Sequence, residues 1–499
     1  MSQSIKGLPV VQEDSAKDLP VHGMYISGTW TDGKERDLLE IVSPATGESI
    51  GYVTMGTRED ARRAITAANE AKTQFGRMGV WERAKLCHAV ADVIEKRADE
   101  LAQLLTLEQG KPLHAEARGE VGSAATAFRA AAEQIKWLES ASFPVEDPNK
   151  RAFNILQPKG VFAVVTPWNF PLGCPSIYYL APGLATGNTM VWVPAPTTSI
   201  SAVKLVECFE EAGVPTGVIN LVTGEGPVVG DEIVVHPGTD AIAFTGSTET
   251  GHAIAKRGAG KSLLLELGGN GPTIVMDDAD VAVAAARVAR GCYANAGQIC
   301  TATERILVHQ RVHDQFVELL VKESKKVHLG DPFDESTTMG PLNNEPTAGK
   351  MDEHLQDALA KGASIALGGA RADAFPTKLY YQPTVVTGVT KDSLLNIHET
   401  FGPVAPVLSF ATDEEALELA DASPFGLSGA VFTQNIKRAL TMAERLRVGI
   451  VNINEASSYW EMHIPAGGAS GKSSGIGRTG GRHTLLEMSD LKTITIDIA

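Results

Sequence analysis

The stretch Ala241-Ile242-Ala243-Phe244-Thr245-Gly246-Ser247-Thr248-Glu249-Thr250-Gly251 decides the fold class. Ala241–Phe244 is a short apolar run that reads as a buried strand, and Thr248–Arg257 reads as the helix that follows it. The turn between them has the chemistry of a phosphate cradle. Gly246 permits a tight turn, Ser247 can donate to a phosphate, and the helix N-terminus presents amide hydrogens. A strand feeding a helix in this way is the context a dinucleotide pyrophosphate requires. The segment is not the GxGxxG fingerprint, however, and read alone Gly-Ser-Thr after a strand is a plain helix cap.

The same alternation extends outward. Val161–Thr166, Met190–Val193 and Val218–Val222 read as strands, with helices at Tyr178–Thr186 and Ser199–Ala212 between them. This predicts a parallel sheet covered on both faces. A second α/β region follows Gly269, with strands at Thr273–Met276, Arg305–Val308, Thr384–Thr387, Ala405–Phe410 and Gly449–Asn452. Its helices are read at Ala279–Ala294, Val312–Lys326, Thr347–Ala360 and Asp413–Ala420. Upstream, Thr57-Arg58-Glu59-Asp60 signals a helix start, so 57–78 is one amphipathic helix. A second helix spans 80–107 on the stripe Leu86, Val90, Val93, Ile94, Leu101 and Leu104. The alternating run Lys492–Ile498 suits an edge or subunit-bridging strand.

With 499 residues the chain divides into two or three domains. Its 43% hydrophobic and 21% charged content is that of a globular protein, and a formal charge of -16 disfavours nucleic acid and anionic membranes as partners. No apolar stretch reaches transmembrane length. The first twenty residues, with Glu13, Asp14 and Asp18, lack the features of a secretory signal and read as a loose arm, so a cytoplasmic location is expected. The five cysteines (87, 174, 208, 292 and 300) form no CxxC pair and no Cys/His metal spacing, which suggests reduced thiols and no metal site. Burial is the expectation for Cys87, Cys174, Cys208 and Cys292. Ala255–Ser262 and Ala466–Ser473 loosely match a nucleoside triphosphate loop. Both lack its first glycine and the strand-before, helix-after context, so neither is read as one.

Cys300 stands apart from the other thiols. It ends Gly297-Gln298-Ile299-Cys300 and precedes Thr301, Ala302 and the charged pair Glu304-Arg305. Upstream, Leu265-Glu266-Leu267-Gly268-Gly269-Asn270 sets a lone carboxylate between an apolar run and two glycines. A thiol nucleophile and a carboxylate able to activate water are what acyl chemistry through a thioester needs.

These segments fall into one ordered set. Thr166-Pro167-Trp168-Asn169-Phe170-Pro171, Gly187-Asn188-Thr189, Phe244–Gly251 and Glu266-Leu267-Gly268-Gly269 are followed by Gly297–Cys300, Glu399-Thr400-Phe401-Gly402-Pro403 and Pro465-Ala466-Gly467-Gly468. In this order the chain resembles the aldehyde dehydrogenase superfamily over nearly its whole length. The resemblance implies oxidation of an aldehyde to the carboxylic acid with NAD or NADP, by the non-acylating route. Cys300 would attack the aldehyde, while Asn169 and the Cys300 amide hold the oxyanion. Hydride would pass to the nicotinamide, and Glu266 would activate the water that hydrolyses the thioester. Relatives that transfer the acyl group to coenzyme A typically dispense with this base, so Glu266 favours hydrolysis over coenzyme A acylation. Intact Asn169, Glu266 and Cys300 likewise argue against a non-catalytic binding member. The resemblance further assigns cofactor contacts to Thr166, Pro167, Trp168, Gly246, Ser247, Gly251, Leu267, Glu399 and Phe401. It implies a Rossmann-like coenzyme domain (1–139 and 160–268), an α/β catalytic domain (269–470), oligomerisation strands (140–159 and 484–499), and a homodimer or homotetramer.

The departures are specific. Val193 and Pro196 stand where the family usually carries a lysine and a glutamate that grip the adenosine ribose, so both cofactors remain open. Ala466 replaces a common phenylalanine, and Thr479 stands where many members carry an acid proposed to relay protons. Residues expected to face the substrate are Tyr178, Ile299, Thr301, Tyr459, Trp460 and His463. Their aromatic content suggests an apolar or aromatic aldehyde. No arginine falls in these segments to bind a second carboxylate, which disfavours a short semialdehyde.

Overall fold

The computed structural model describes residues 10–11 and 18–499. Its central sheet has five parallel strands in the spatial order Ser262–Glu266, Ala241–Thr245, Val161–Val165, Thr189–Val193 and Ile219–Leu221. The chain enters in the middle, runs outward to one side, then returns to fill the other. Val161–Val165 and Ala241–Thr245 are therefore neighbours from which the connections leave in opposite directions, opening a crevice at their carboxyl ends. Their sequences VFAVV and AIAFT are buried almost throughout, as parallel strands covered on both faces must be. Tyr25–Ile26 and Thr29–Trp30 extend this sheet at one edge and Gly475–Ile476 at the other.

The second sheet runs Ser364–Leu367, Thr384–Thr387, Val404–Phe410, Thr303–His309, Gly271–Val275, Ser428–Phe432 and Ile450–Ile453. All its pairings are parallel except that of Ser364–Leu367 with Thr384–Thr387. Each large sheet has its own apolar core. Residues 267–270 carry the chain from one sheet to the other. The active-site segments consequently lie at the carboxyl ends of the first sheet and the amino ends of the second.

Several elements differ from the sequence expectation. The helix read at 80–107 is two, Val80–Lys96 and Ala98–Gln109. Arg97 parts them, its backbone (φ -100°, ψ 14°) leaving the helical region, and its guanidinium bonds Glu100 at 2.9 Å and Glu207 at 2.7 Å. The helix read from Tyr178 begins earlier, at Gly173, and passes through a wide turn at Ser176–Leu180 before Ala181–Thr186. Helix Arg118–Gln134 went unread because its many alanines and its glycines leave only a faint apolar stripe. Of the arm read over the first twenty residues, Glu13 and Asp14 lie outside the described residues, whereas Val10–Val11 pairs with Leu38–Leu39 rather than hanging loose. A three-stranded antiparallel sheet joins Ser142–Phe143, Lys150–Pro158 and Ser489–Asp497. Within 484–499 only the latter part is strand, since 484–487 close the helix Gly481–Glu487. Among the described residues no helix is long and apolar enough to cross a membrane.

Ile242 is fully buried in the first sheet. Ile242→Ala is expected to cost about 2–5 kcal/mol, read as a lowered denaturation midpoint. Leu440→Ala, at a position 50% exposed, should change stability by about 0.5 kcal/mol or less.

Candidate active site

Cys300 reaches its place through a strained turn. After the helix Val281–Tyr293, Asn295 (φ 49°), Ala296 (φ 53°) and Gly297 (φ 75°) all adopt left-handed backbone, which is unfavourable for the two non-glycine residues. Surrounding bonds hold it. The Glu116 carboxylate accepts the Asn295 N–H at 2.7 Å, and Asn295 Nδ2 donates to the carbonyls of Asn169 (3.1 Å) and Gln298 (3.2 Å). The amide of Asn169 donates to the Gln298 carbonyl at 2.9 Å, placing Asn169 against the cysteine turn. Asn169 is itself anchored by a fully buried lysine. Lys111 Nζ donates to the Asn169 carbonyl (3.0 Å) and to Glu120 (2.5 Å), and lies 4.0 Å from the centre of the Phe170 ring.

Glu266 ends its strand at 4% exposure and accepts a hydrogen bond from Thr479 Oγ1 at 3.1 Å. Burial pushes its carboxyl up to about 8, against the opposing pull of the Thr479 hydroxyl and the Arg478 guanidinium. Thr479 is held there by paired backbone bonds with Ala466, and the neighbouring strand Gly475–Ile476 pairs with Leu265 and Glu266. The Thr479 hydroxyl is thus aimed at Glu266.

Cys300 is half-buried, whereas Cys87, Cys174, Cys208 and Cys292 are buried as expected. Burial, and then the negative charges of Glu266 and Glu399, push the Cys300 thiol up to about 12, while the amides of Cys300 and Thr301 favour its thiolate. Cys174 lies near enough to Cys300 and Glu266 for their charges to raise its thiol further beyond what burial does.

At Gly268–Gly269 the backbone passes through a gap that admits no side chain. A Cβ on Gly268 would lie 2.7 Å from a Glu399 carboxylate oxygen, and one on Gly269 would lie 2.0 Å from the Cys300 carbonyl oxygen. The Gly269 N–H donates to Glu399 at 3.0 Å. Nucleophile, base and Glu399 are therefore brought to one short piece of chain.

The residues expected at the cofactor surround the crevice. Thr166, Pro167 and Trp168 follow Val161–Val165, and Gly246 and Ser247 follow Ala241–Thr245. Ser247 caps the helix Thr248–Arg257 and is exposed at its N-terminus. A Cβ on Gly246 would fall 2.5 Å from the Phe244 ring, and one on Gly251 would fall 2.2 Å from Leu267, so helix and turn sit close against the strands. Across the crevice Phe401 meets Trp168 edge to face, ring centres 5.6 Å apart. An exposed helix N-terminus at one end and a carboxylate beside an aromatic ring at the other fit a dinucleotide lying between them. The resemblance to a nucleoside triphosphate loop at 255–262 is not realised, because a helix precedes the segment and a strand follows it.

The substrate-facing residues divide. Tyr178 packs edge to face on Trp460 with ring centres 5.6 Å apart, and the charges of Cys300 and Glu266 act on its hydroxyl. Ile299 and Thr301 flank the nucleophile and are half-buried. Tyr459 is 42% exposed and donates to Glu461, and the largely exposed His463 also lies against Glu461, so these two stand on the outer rim. Lys111, Glu116, Gln298 and Thr479 were not read as supports, because their partners are distant in sequence. Among the described residues no group of three or more His, Cys, Asp or Glu side chains is placed to hold a metal ion.

A family model for the aldehyde dehydrogenase family matches residues 30–494. The chain belongs to the aldehyde dehydrogenase family. It is 37% identical over 455 residues to the alpha-ketoglutaric semialdehyde dehydrogenase of Bacillus subtilis (strain 168), covering 90% of this chain and 93% of that protein. To the NADP(+) succinate-semialdehyde dehydrogenase GabD of Escherichia coli (strain K12) it is 37% identical, covering 95% and 97%. The crystal structure of betaine aldehyde dehydrogenase from Staphylococcus aureus in complex with NAD+ matches with a TM-score of 0.92 and 36% identity, covering 96% of each chain. This aldehyde dehydrogenase is an oxidoreductase that converts an aldehyde to the carboxylic acid with NAD or NADP.

Since four of the five cysteines are buried, native alkylation with iodoacetamide should map to Cys300 first, and Cys300→Ala should abolish that early labelling. The labelling rate should keep rising as the pH is raised above neutrality, because burial and the two carboxylates hold the thiol protonated. Peptide mass spectrometry reads both outcomes.

Proposed function

We propose that Cys300 is the nucleophile, Asn169 the oxyanion donor and Glu266 the hydrolytic base of this aldehyde dehydrogenase. The carrying observation is the convergence at Gly268–Gly269, where the chain leaving Glu266 touches both the Cys300 carbonyl and the Glu399 carboxylate. The Cys300 sulfur, as thiolate, adds to the aldehyde carbon, and the carbonyl electron pair moves to oxygen. Asn169 has two amide hydrogens. One is bonded to the Gln298 carbonyl, which orients the other, with the Cys300 N–H, toward that oxygen. NAD or NADP, when bound, would supply the hydride acceptor for oxidation of the thiohemiacetal on Cys300 to the thioester. Glu266 then removes a proton from water as the water oxygen attacks the thioester carbon, the C–S bond breaks and the carboxylic acid leaves. A carboxyl held near 8 is poised to gain and lose that proton around neutrality.

Thr166, Pro167, Trp168, Gly246, Ser247, Gly251 and Leu267 would hold the cofactor along the crevice, with Glu399 and Phe401 at its nicotinamide half. The division into a coenzyme domain of 1–139 and 160–268 and a catalytic domain of 269–470 is supported by the two large sheets and their separate cores. The aldehyde is proposed to carry an apolar or aromatic tail. Tyr178 and Trp460 support this. A homodimer or homotetramer in the cytoplasm is proposed. Its support is the three-stranded sheet at 140–159 and 484–499, which exposes Phe143 (44%), Leu491 (64%) and Ile496 (44%).

Cys300→Ala should abolish reduced-cofactor formation across an aldehyde panel. Glu266→Gln should give an initial burst of reduced cofactor followed by turnover slowed about 100-fold or more, with acyl-enzyme detectable by mass spectrometry. Fast steady turnover in that variant would contradict the role of Glu266. The Thr479 hydroxyl favours the charged form of Glu266, so Thr479→Val should move the acidic limb of the hydrolysis rate to higher pH, and Thr479→Ser should restore it.

A further inference from the structure

We propose that Glu304, just beyond the nucleophile, is the positioning residue of the cofactor loop: its buried carboxylate fixes Glu399 and Phe401 by gripping the backbone between them. The inference rests on the reading of Glu399 and Phe401 as the nicotinamide-side contacts. Glu304 opens the strand Thr303–His309 at 3% exposure. One of its oxygens accepts the Thr400 N–H and the other accepts the Phe401 N–H, both at 2.7 Å. Phe401 has left-handed backbone (φ 60°), a conformation an aromatic residue does not hold without external bonds. The Thr400 side chain is bound separately, at 3.0 Å from His354 Nδ1. With both amides fixed, Glu399 is directed to the Gly269 N–H and Phe401 to the Trp168 ring.

Arg305, the next residue, grips the other side of the same loop. Its buried guanidinium donates to the carbonyls of Asn270 (2.9 Å), Leu419 (3.0 Å) and Ala420 (2.8 Å). Asn270 in turn donates through its side chain to the carbonyls of Asn396 (3.0 Å) and His398 (3.2 Å), immediately before Glu399. The charged pair after Cys300 thereby ties the nucleophile segment to the cofactor loop from both flanks. The choice of glutamate is costly, because burial disfavours both carboxylates and the charge of Glu399 acts on Glu304, with the Lys350 charge offsetting part of this at each. Only a carboxylate offers two acceptor oxygens to two adjacent amides. A glutamine at this position would accept one N–H and turn an NH2 toward the other.

The test is the dissociation constant of NAD and of NADP, measured by quenching of tryptophan fluorescence, for the wild type, Glu304→Gln, Glu304→Asp and Glu399→Gln. Loss of one charge-assisted bond should raise the constant about tenfold or more in Glu304→Gln, with the KM for aldehyde and the rate of Cys300 alkylation within about twofold of wild type. Glu304→Asp keeps the charge but is too short to span both amides, and should fall between the two. If Glu399→Gln weakens the cofactor while both Glu304 variants bind like wild type, the inference is overturned and the reading of the loop stands. If Glu399→Gln binds like wild type, the reading itself fails. Weakened binding accompanied by an equal loss of Cys300 alkylation, or failure of both Glu304 variants to fold, would make Glu304 a general core residue and overturn the inference.

Discussion

The backbone at Gly268-Gly269 is squeezed between a carboxylate on one side and a carbonyl on the other, and the organisation of the site follows from that contact. This short crossing is where the chain leaves the first sheet and enters the second. Any side chain here would separate Glu266, Cys300 and Glu399, because the available space is smaller than a methyl group. With glycine, the carboxyl ends of one parallel sheet meet the amino ends of the other at bonding distance. The crevice beside the outward-running strands then opens directly onto the nucleophile.

That convergence concentrates buried negative charge. Glu266, Glu304 and Glu399 all have carboxyls raised by burial, and the Cys300 thiol is raised by burial and by two of them. The counterweights are the Lys350 charge, acting on both Glu304 and Glu399, and fixed dipoles: Thr479 on Glu266, Gly269 on Glu399, Thr400 and Phe401 on Glu304. Such fixed dipoles stabilise a carboxylate without the mobility of a lysine or arginine side chain. Two buried cations also bind carbonyls, Lys111 that of Asn169 beside its bond to Glu120, and Arg305 that of Asn270.

Much of the architecture was legible because parallel strands carry unbroken apolar runs. Val161–Val165, Thr189–Val193, Ala241–Thr245 and the helix Thr248–Arg257 stand within a residue or so of their expected bounds. Short strands such as Tyr25–Ile26 and Gly475–Ile476 carry no period and form only because a neighbouring edge is free to pair. The break at Arg97 was equally hidden, since the apolar stripe continues across it.

The apolar spacing determined by itself two successive α/β regions, and the order of the motifs around Cys300 and Glu266 carried the resemblance to the aldehyde dehydrogenases. These are local properties: a strand, a turn and a helix start each leave their pattern in adjacent residues. Only the tertiary structure decided what supports the chemistry. Thr479 faces Glu266, Lys111 anchors Asn169, and Glu304 grips the amides beside Glu399, in each case across a long separation in sequence. A hydrogen bond depends on distance and direction in space, and those are set only once both sheets have packed.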